Sequence, residues 1–159
     1  MLVRDLQPRD LAAVHAINEE NVPAVGSVSL EQLQSLVDRA LVALVVVVDE
    51  NRIAGFCIVL PPGTDYTSPN YLFFAERYDS FAYLDRVALT AGSRGHGWGK
   101  AMYDVVERRV AADWFTLEVN LQPRNDGSLR FHAREGFVEV GRQQPYPGNE
   151  VSLLAKRLR

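Results

Sequence analysis

The chain has 159 residues, 47% of them hydrophobic, and a net charge of −3, which is material for one well-filled core and the length of one domain. That charge gives no electrostatic case for a nucleic-acid partner, and no run of like charges marks a tail. The single cysteine excludes an internal disulfide, and Cys57, inside the apolar run Ala54 to Leu60, reads as a buried structural thiol. Leu41 to Val48 is the most apolar segment but is too short to span a bilayer, and Met1 to Asp10 carries charges where a signal peptide would be apolar. The expectation is a single domain over residues 1–159, cytoplasmic, with no membrane association and a small partner.

Leu2 to Arg4 suits a short first strand. Pro8 fits the first turn of a helix whose apolar face is Leu11, Val14 and Ile17, and Asn21-Val22-Pro23 stops it. Ser29, with Gln32 three residues on, caps a second helix with the stripe Leu30, Leu33, Leu36 and Val37. Leu41 to Val48 is β-branched and continuous, as a strand covered on both faces would be, and Asp49 to Arg52 turns it into Ile53 to Leu60 as a hairpin. Pro61 to Ser80 breaks this rhythm and reads as a long loop, with Tyr71 to Ala75 open to a helical turn or a strand extension. Its aromatics, Tyr66, Tyr71, Phe73, Phe74 and Tyr78, fit either packing against a sheet or the wall of an acceptor pocket. A strand Phe81 to Leu89, a helix Gly97 to Ala112 and a strand Phe115 to Leu121 follow as a unit with a parallel pair. Asn125 or Asp126 caps a helix Gly127 to Glu135 that Gly136 ends, and strands from Phe137 to Val140 and from Val151 to Leu158 close the chain.

The stretch Arg94-Gly95-His96-Gly97-Trp98-Gly99-Lys100 leads from the strand into the helix. Glycines here let backbone N–H groups turn toward one point, and the helix adds its unpaired N-terminal donors and positive dipole end, so the turn reads as a phosphate cradle. It is not a P-loop, because Ala101 follows Gly99-Lys100 where the metal-binding hydroxyl should stand. Nor is it a dinucleotide fingerprint, since Gly95, Gly97 and Gly99 give G-x-G-x-G. What fits is R-x-x-G-x-G at Arg94, Gly97 and Gly99, which resembles the pyrophosphate motif of the GNAT acyltransferase superfamily. Asn125 to Phe137 resembles that superfamily's second signature, with Asn125, Ser128, Phe131, Gly136 and Phe137 in register.

The resemblance implies an α/β fold: a mixed, mostly antiparallel sheet of about six or seven strands flanked by about four helices, with a parallel pair at the CoA cleft. It implies transfer of an acetyl group from acetyl-CoA to a primary amine of a small molecule or peptide by direct attack, without a metal. The backbone of Val87, Ala88 and Leu89 would pair with the pantetheine arm and aim an N–H at the thioester oxygen. The pyrophosphate would rest on Arg94, Gly95, His96, Gly97, Trp98, Gly99 and Lys100, with the Arg94 or Lys100 side chain adding charge. Asn125, with Ser128 and Phe131 beside it, would hold the cofactor arm. His132 stands where the superfamily keeps the tyrosine that protonates the leaving thiolate, which leaves three roles open for it: general acid, cofactor contact or packed helix residue. For the base, Asp85 and Tyr83 share one face of the strand and Glu118 lies on its neighbour, the alternative being a carboxylate tied up by Arg86 or Arg124. Asn18 and Glu19 on the first helix, and Tyr71 and Phe74 in the long loop, are the acceptor-side candidates. A module that binds CoA or acyl-CoA without turnover is the competing reading, and a homodimer is compatible with either.

Overall fold

In the computed structural model, which describes residues 1–159, the apolar runs become strands of one mixed sheet. The strands are β1 (Leu2–Asp5), β2 (Val42–Val48), β3 (Arg52–Leu60), β4 (Phe81–Leu89), β5 (Trp114–Gln122), β6 (Val138–Tyr146) and β7 (Asn149–Arg157). Their order is β1-β2-β3-β4-β5-β7-β6. β4 and β5 run parallel, while β1-β2, β2-β3, β5-β7 and β6-β7 are antiparallel. Five helices accompany them: α1 (Leu11–Glu20), α2 (Leu30–Arg39), α3 (Pro69–Arg77), α4 (Trp98–Arg109) and α5 (Asp126–Arg134). No helix is long and apolar enough to cross a membrane.

Local chemistry explains most of the boundaries. Ser29 accepts from the Gln32 N–H at 3.0 Å and Gln32 Oε1 accepts from the Ser29 N–H at 2.8 Å, so two of the donors that α2 leaves unpaired are satisfied. β2 is buried along nearly its whole length, as its unbroken valine run requires. The expected long loop at Pro61 to Ser80 is corrected, because Pro69 to Arg77 is a helix with proline in its first turn, where a missing N–H costs nothing. Tyr71 and Phe74, three residues apart, form its buried face.

Two compact units divide the chain: residues 1–60 with 84–110, and residues 61–83 with 111–159. In the first, α1 and α2 lie against β3, and α4 against β1, β2 and β3. α4 buries Met102, Tyr103 and Val106 and ends with Arg108 and Arg109, cations suited to a helix C-terminus. In the second, α3 lies against β5, and β5, β7 and β6 form an antiparallel ribbon.

Candidate functional site

The first unit carries the glycine turn. After β4 a tight turn, Ala91–Ser93, is closed by the Ser93 N–H donating to the Thr90 carbonyl at 2.9 Å and by a hydroxyl-hydroxyl bond between Thr90 and Ser93. Gly95 and Gly97 then take positive φ, 80° and 78°, a left-handed backbone that glycine adopts without Cβ strain. A Cβ built at either would meet nothing within 4 Å, so the space beside the turn is open. Gly97 is the N-cap of α4 and offers no side-chain cap. The first intrahelical bond runs from the Ala101 N–H to the Gly97 carbonyl, leaving the Trp98 and Gly99 N–H groups without a helical acceptor. These donors, beside open space at the positive end of a twelve-residue helix, suit a diphosphate.

The cationic side chains of the turn differ in what they face. Lys100 reaches both carboxylate oxygens of Asp104 at 3.1 Å, so its charge is largely matched. Arg94 instead donates to the neutral Asn21 Oδ1 at 2.7 Å, and its charge stays available to an anion. His96 and Trp98 stack on one another at 5.0 Å along the rim.

β4 presents an open backbone edge next to this turn. Its ladder to β5 pairs Phe81, Ala82 and Tyr83 with Trp114, Phe115 and Thr116 and goes no further. Beyond it the Thr90 N–H donates to Ala54 on β3 at 2.8 Å. Because backbone groups alternate sides along a strand, Val87 and Leu89 direct theirs away from β3. That is the edge an extended pantetheine arm would need. Gly55 on β3 allows the close approach, since a Cβ there would stand 2.4 Å from Leu89 Cδ2 and 3.0 Å from the Ala88 carbonyl oxygen.

Asn18 and Glu19, expected on the acceptor side, are engaged inside the first unit. Arg86, 8% exposed, donates from Nε to Asp85 at 2.8 Å and from Nη1 to Asn18 Oδ1 at 2.9 Å and the Gly26 carbonyl at 3.0 Å. Asn18 Nδ2 donates to Glu19 at 2.8 Å and to the Gly26 carbonyl at 3.1 Å. The Ser27 hydroxyl, followed by the Asn18 amide, holds the Glu19 carboxyl below its ordinary range. This network pins the segment after α1 to β4. Asp85 is thus one half of a buried ion pair, whose disruption leaves an uncompensated charge.

In the second unit, the Tyr83 hydroxyl donates to Glu118 Oε1. Tyr83 is fully buried and Glu118 half-buried, so a carboxylate sits at the end of an otherwise enclosed phenol. Asn125 caps α5, its Oδ1 accepting from the Ser128 N–H at 3.2 Å. His132, 3% exposed, has Nδ1 at 2.8 Å from the Ser128 carbonyl, so Nδ1 carries the proton and donates. Phe131 and Phe137 pack edge-on against its ring at 5.0 and 5.3 Å. Burial, partly offset by the bond to Ser128, lowers its pKa to about 4.

Between pH of about 6.5 and about 4 the unfolded chain binds a proton at His132 that the folded chain does not, so stability contributed by the neutral imidazole is lost as pH falls through that window. Thermal melts from pH 7 to pH 4 should therefore show a shallower loss for His132→Phe than for the parent, with roughly 1.4 kcal/mol per pH unit as the ceiling for one proton. Parallel curves would contradict this.

Tyr71 and Phe74 turn inward. Their rings lie 5.4 and 5.9 Å from Tyr83, Tyr71 is 1% and Phe74 0% exposed, and the Tyr71 hydroxyl donates to the Pro61 carbonyl at 2.6 Å. Substituting either with alanine should lower unfolding free energy by about 3–5 kcal/mol. Urea titration checks it, and a variant of parental stability with a raised acceptor KM would restore the pocket-wall expectation.

The sequence pattern of the acetyltransferase (GNAT) family matches residues 10–137, most of the chain and both signature stretches. The chain belongs to the GNAT acetyltransferase family. It is accordingly an N-acetyltransferase that uses acetyl-CoA. No curated protein sequence matches it. Among solved structures, this acetyltransferase resembles the ribosomal-protein-S18-alanine N-acetyltransferase of Escherichia coli, at 18% identity and TM-score 0.74 over 99% of this chain and 93% of that one. It also resembles the ribosomal-protein-alanine N-acetyltransferase of Brucella melitensis, at 22% identity and TM-score 0.69 over 99% of each chain. A third is yncA of Salmonella typhimurium, solved with its cofactor acetyl-CoA, at 16% identity and TM-score 0.74 over 100% of this chain and 94% of that one. At such identities the likeness speaks for the fold.

Proposed function

We propose that this GNAT acetyltransferase acetylates a primary amine of a small molecule or peptide by direct attack on the thioester of acetyl-CoA. The reading is carried by the Arg94 to Lys100 turn, which holds left-handed glycines, uncapped helix N–H groups and an arginine facing only a neutral amide. Bound acetyl-CoA supplies an activated acyl carbon. The turn's N–H groups and Arg94 hold its diphosphate, and the Val87 to Leu89 edge aligns the pantetheine and offers an N–H to charge developing on the acyl oxygen. Glu118 takes the proton from the attacking amine, and the Tyr83 hydroxyl orients that carboxylate; as the C–N bond forms the C–S bond breaks, and CoA leaves as the thiolate, which takes its proton from water. Asp85 is assigned to its ion pair with Arg86 rather than to proton transfer.

His132 is assigned to packing. An acid at neutral pH would need the imidazolium form that burial disfavours, and its Nδ1 proton is donated to a carbonyl of its own helix. His132→Phe should keep turnover within roughly an order of magnitude of the parent, whereas loss of a working general acid costs on the order of 10²–10⁴.

The test is release of free CoA thiol in the presence of a panel of small primary amines and of peptides with free N-termini, with acetylated products identified by mass spectrometry. The ribosomal-protein alanine acetyltransferases among its structural neighbours support including alanine-initiated peptides. Amine-dependent thiol release with product acetylated on nitrogen is expected. Thiol release unchanged by every amine would overturn the reading.

A further inference from the structure

We infer that Asn21 is a positioning residue for acetyl-CoA, its side-chain amide tying the Arg94 guanidinium and the end of the β4 edge to the C-terminus of α1. The inference rests on the diphosphate reading of the turn. Asn21 is the C-cap of α1. Its Nδ2 donates to the Ile17 carbonyl at 2.8 Å and to the Leu89 carbonyl at 3.1 Å, and its Oδ1 accepts from Arg94 Nη2 at 2.7 Å. One amide thus meets a helix end, a strand end and an arginine separated by 68 and 73 positions from it in sequence.

The network allows only one orientation. Turning the amide over would set its NH₂ against the guanidinium and its oxygen against two carbonyls. The residue type matters for the same reason. Aspartate could hold Arg94, but its carboxylate would oppose both carbonyls and would neutralise the cation that a diphosphate requires. Alanine would release all three groups. A neutral acceptor of this length holds the guanidinium in place while leaving its charge for a ligand.

The Leu89 contact adds a second role. Leu89 directs its backbone away from β3, on the edge where the pantetheine is proposed to lie, and the Asn21 amide marks where that edge ends. The same side chain therefore spaces the thioester end of the acetyl-CoA site from its diphosphate end. Misplacing Arg94 and the edge together should weaken binding more than it slows the bound complex.

Calorimetry with acetyl-CoA on the full chain, together with steady-state kinetics, tests this. Asn21→Ala should raise the Kd and the KM for acetyl-CoA by about tenfold with kcat changed little, the loss of a charge-assisted contact being about 1.4 kcal/mol. Asn21→Asp should weaken binding as well, because it neutralises Arg94. In an Arg94→Ala background the effect of Asn21→Ala should shrink to about threefold or less, since neighbouring groups that act together are not additive. With S-acetylpantetheine, which lacks the diphosphate, Arg94→Ala should have no effect and Asn21→Ala only the smaller one. If Gly97→Val and Arg94→Ala leave the Kd for acetyl-CoA unchanged, the diphosphate reading fails and the inference with it. If those two weaken binding but Asn21→Ala does not, or if its effect is the same with Arg94 removed, the inference alone is overturned. A purely structural asparagine would give that last pattern.

Discussion

Replacing Gly97 with valine should reduce affinity for acetyl-CoA by at least roughly 10²-fold, to the point where calorimetry at ordinary concentrations detects no heat of binding. Gly97 sits at φ 78° as the N-cap of α4. A β-branched residue in that region costs about 1–3 kcal/mol, and relaxing to negative φ would reorient the N–H groups of Trp98 and Gly99. Each hydrogen bond to a charged group contributes about 1.5–3 kcal/mol, so misdirecting two of them accounts for the expected loss even if the fold adjusts. Gly92→Ala is the control in the same stretch, because Gly92 lacks a positive φ and a Cβ there meets nothing within 4 Å. It should bind like the parent. A valine variant that bound acetyl-CoA normally would return these glycines to turn geometry alone.

The second large effect is expected at Glu118. Glu118→Gln should lower kcat by about 10²–10⁴ while leaving the KM for acetyl-CoA nearly unchanged, the span and pattern of a lost general base. Glutamine keeps the length of the side chain and still accepts from the Tyr83 hydroxyl, so loss of activity could not be attributed to a collapsed contact. Tyr83→Phe should cost less than Glu118→Gln, because it removes only the group that orients the carboxylate. Asp85→Asn should act mainly on stability through Arg86. Full kcat in the Glu118→Gln variant would exclude it as the proton acceptor.

What could be read from the sequence was local. The cap at Ser29, the turn at Asp49 to Arg52, the glycine turn and the strand Phe81–Leu89 are each fixed by neighbouring residues, and each appears where expected. α3 is legible only in part: Tyr71 to Ala75 admits a helical turn, and Ser68-Pro69 is a helix start with Tyr71, Phe74 and Tyr78 following at helical spacing, but the prolines and polar residues before them read as loop and hide its full length. β6 continues to Tyr146, beyond the expected Val140, because its exposed residues form a strand by pairing with β7 and not by apolar alternation.

The partnerships of the candidate site were not legible. Asn21 with Arg94, Arg86 with Asn18, and Tyr83 with Glu118 join residues 73, 68 and 35 positions apart. No periodicity or motif carries such pairings; they exist only once the strands are in order. His132 shows the limit differently. Its place in the second signature was plain, but whether it is charged depends on the rings of Phe131 and Phe137 and on a carbonyl of its own helix.

On the reading proposed above, the open turn after β4 is the diphosphate site of acetyl-CoA and the adjoining strand edge its pantetheine site. Backbone amide NMR on the ¹⁵N-labelled protein, titrated first with CoA and then separately with pantetheine, tests it directly. With CoA the largest shifts should fall on Gly95, Gly97, Trp98 and Gly99 together with Val87 and Leu89. With pantetheine only the Val87 and Leu89 signals should move. Saturable CoA binding that leaves the amides of Gly95 to Gly99 in place, or that moves a different set of residues, would place the diphosphate elsewhere on the chain.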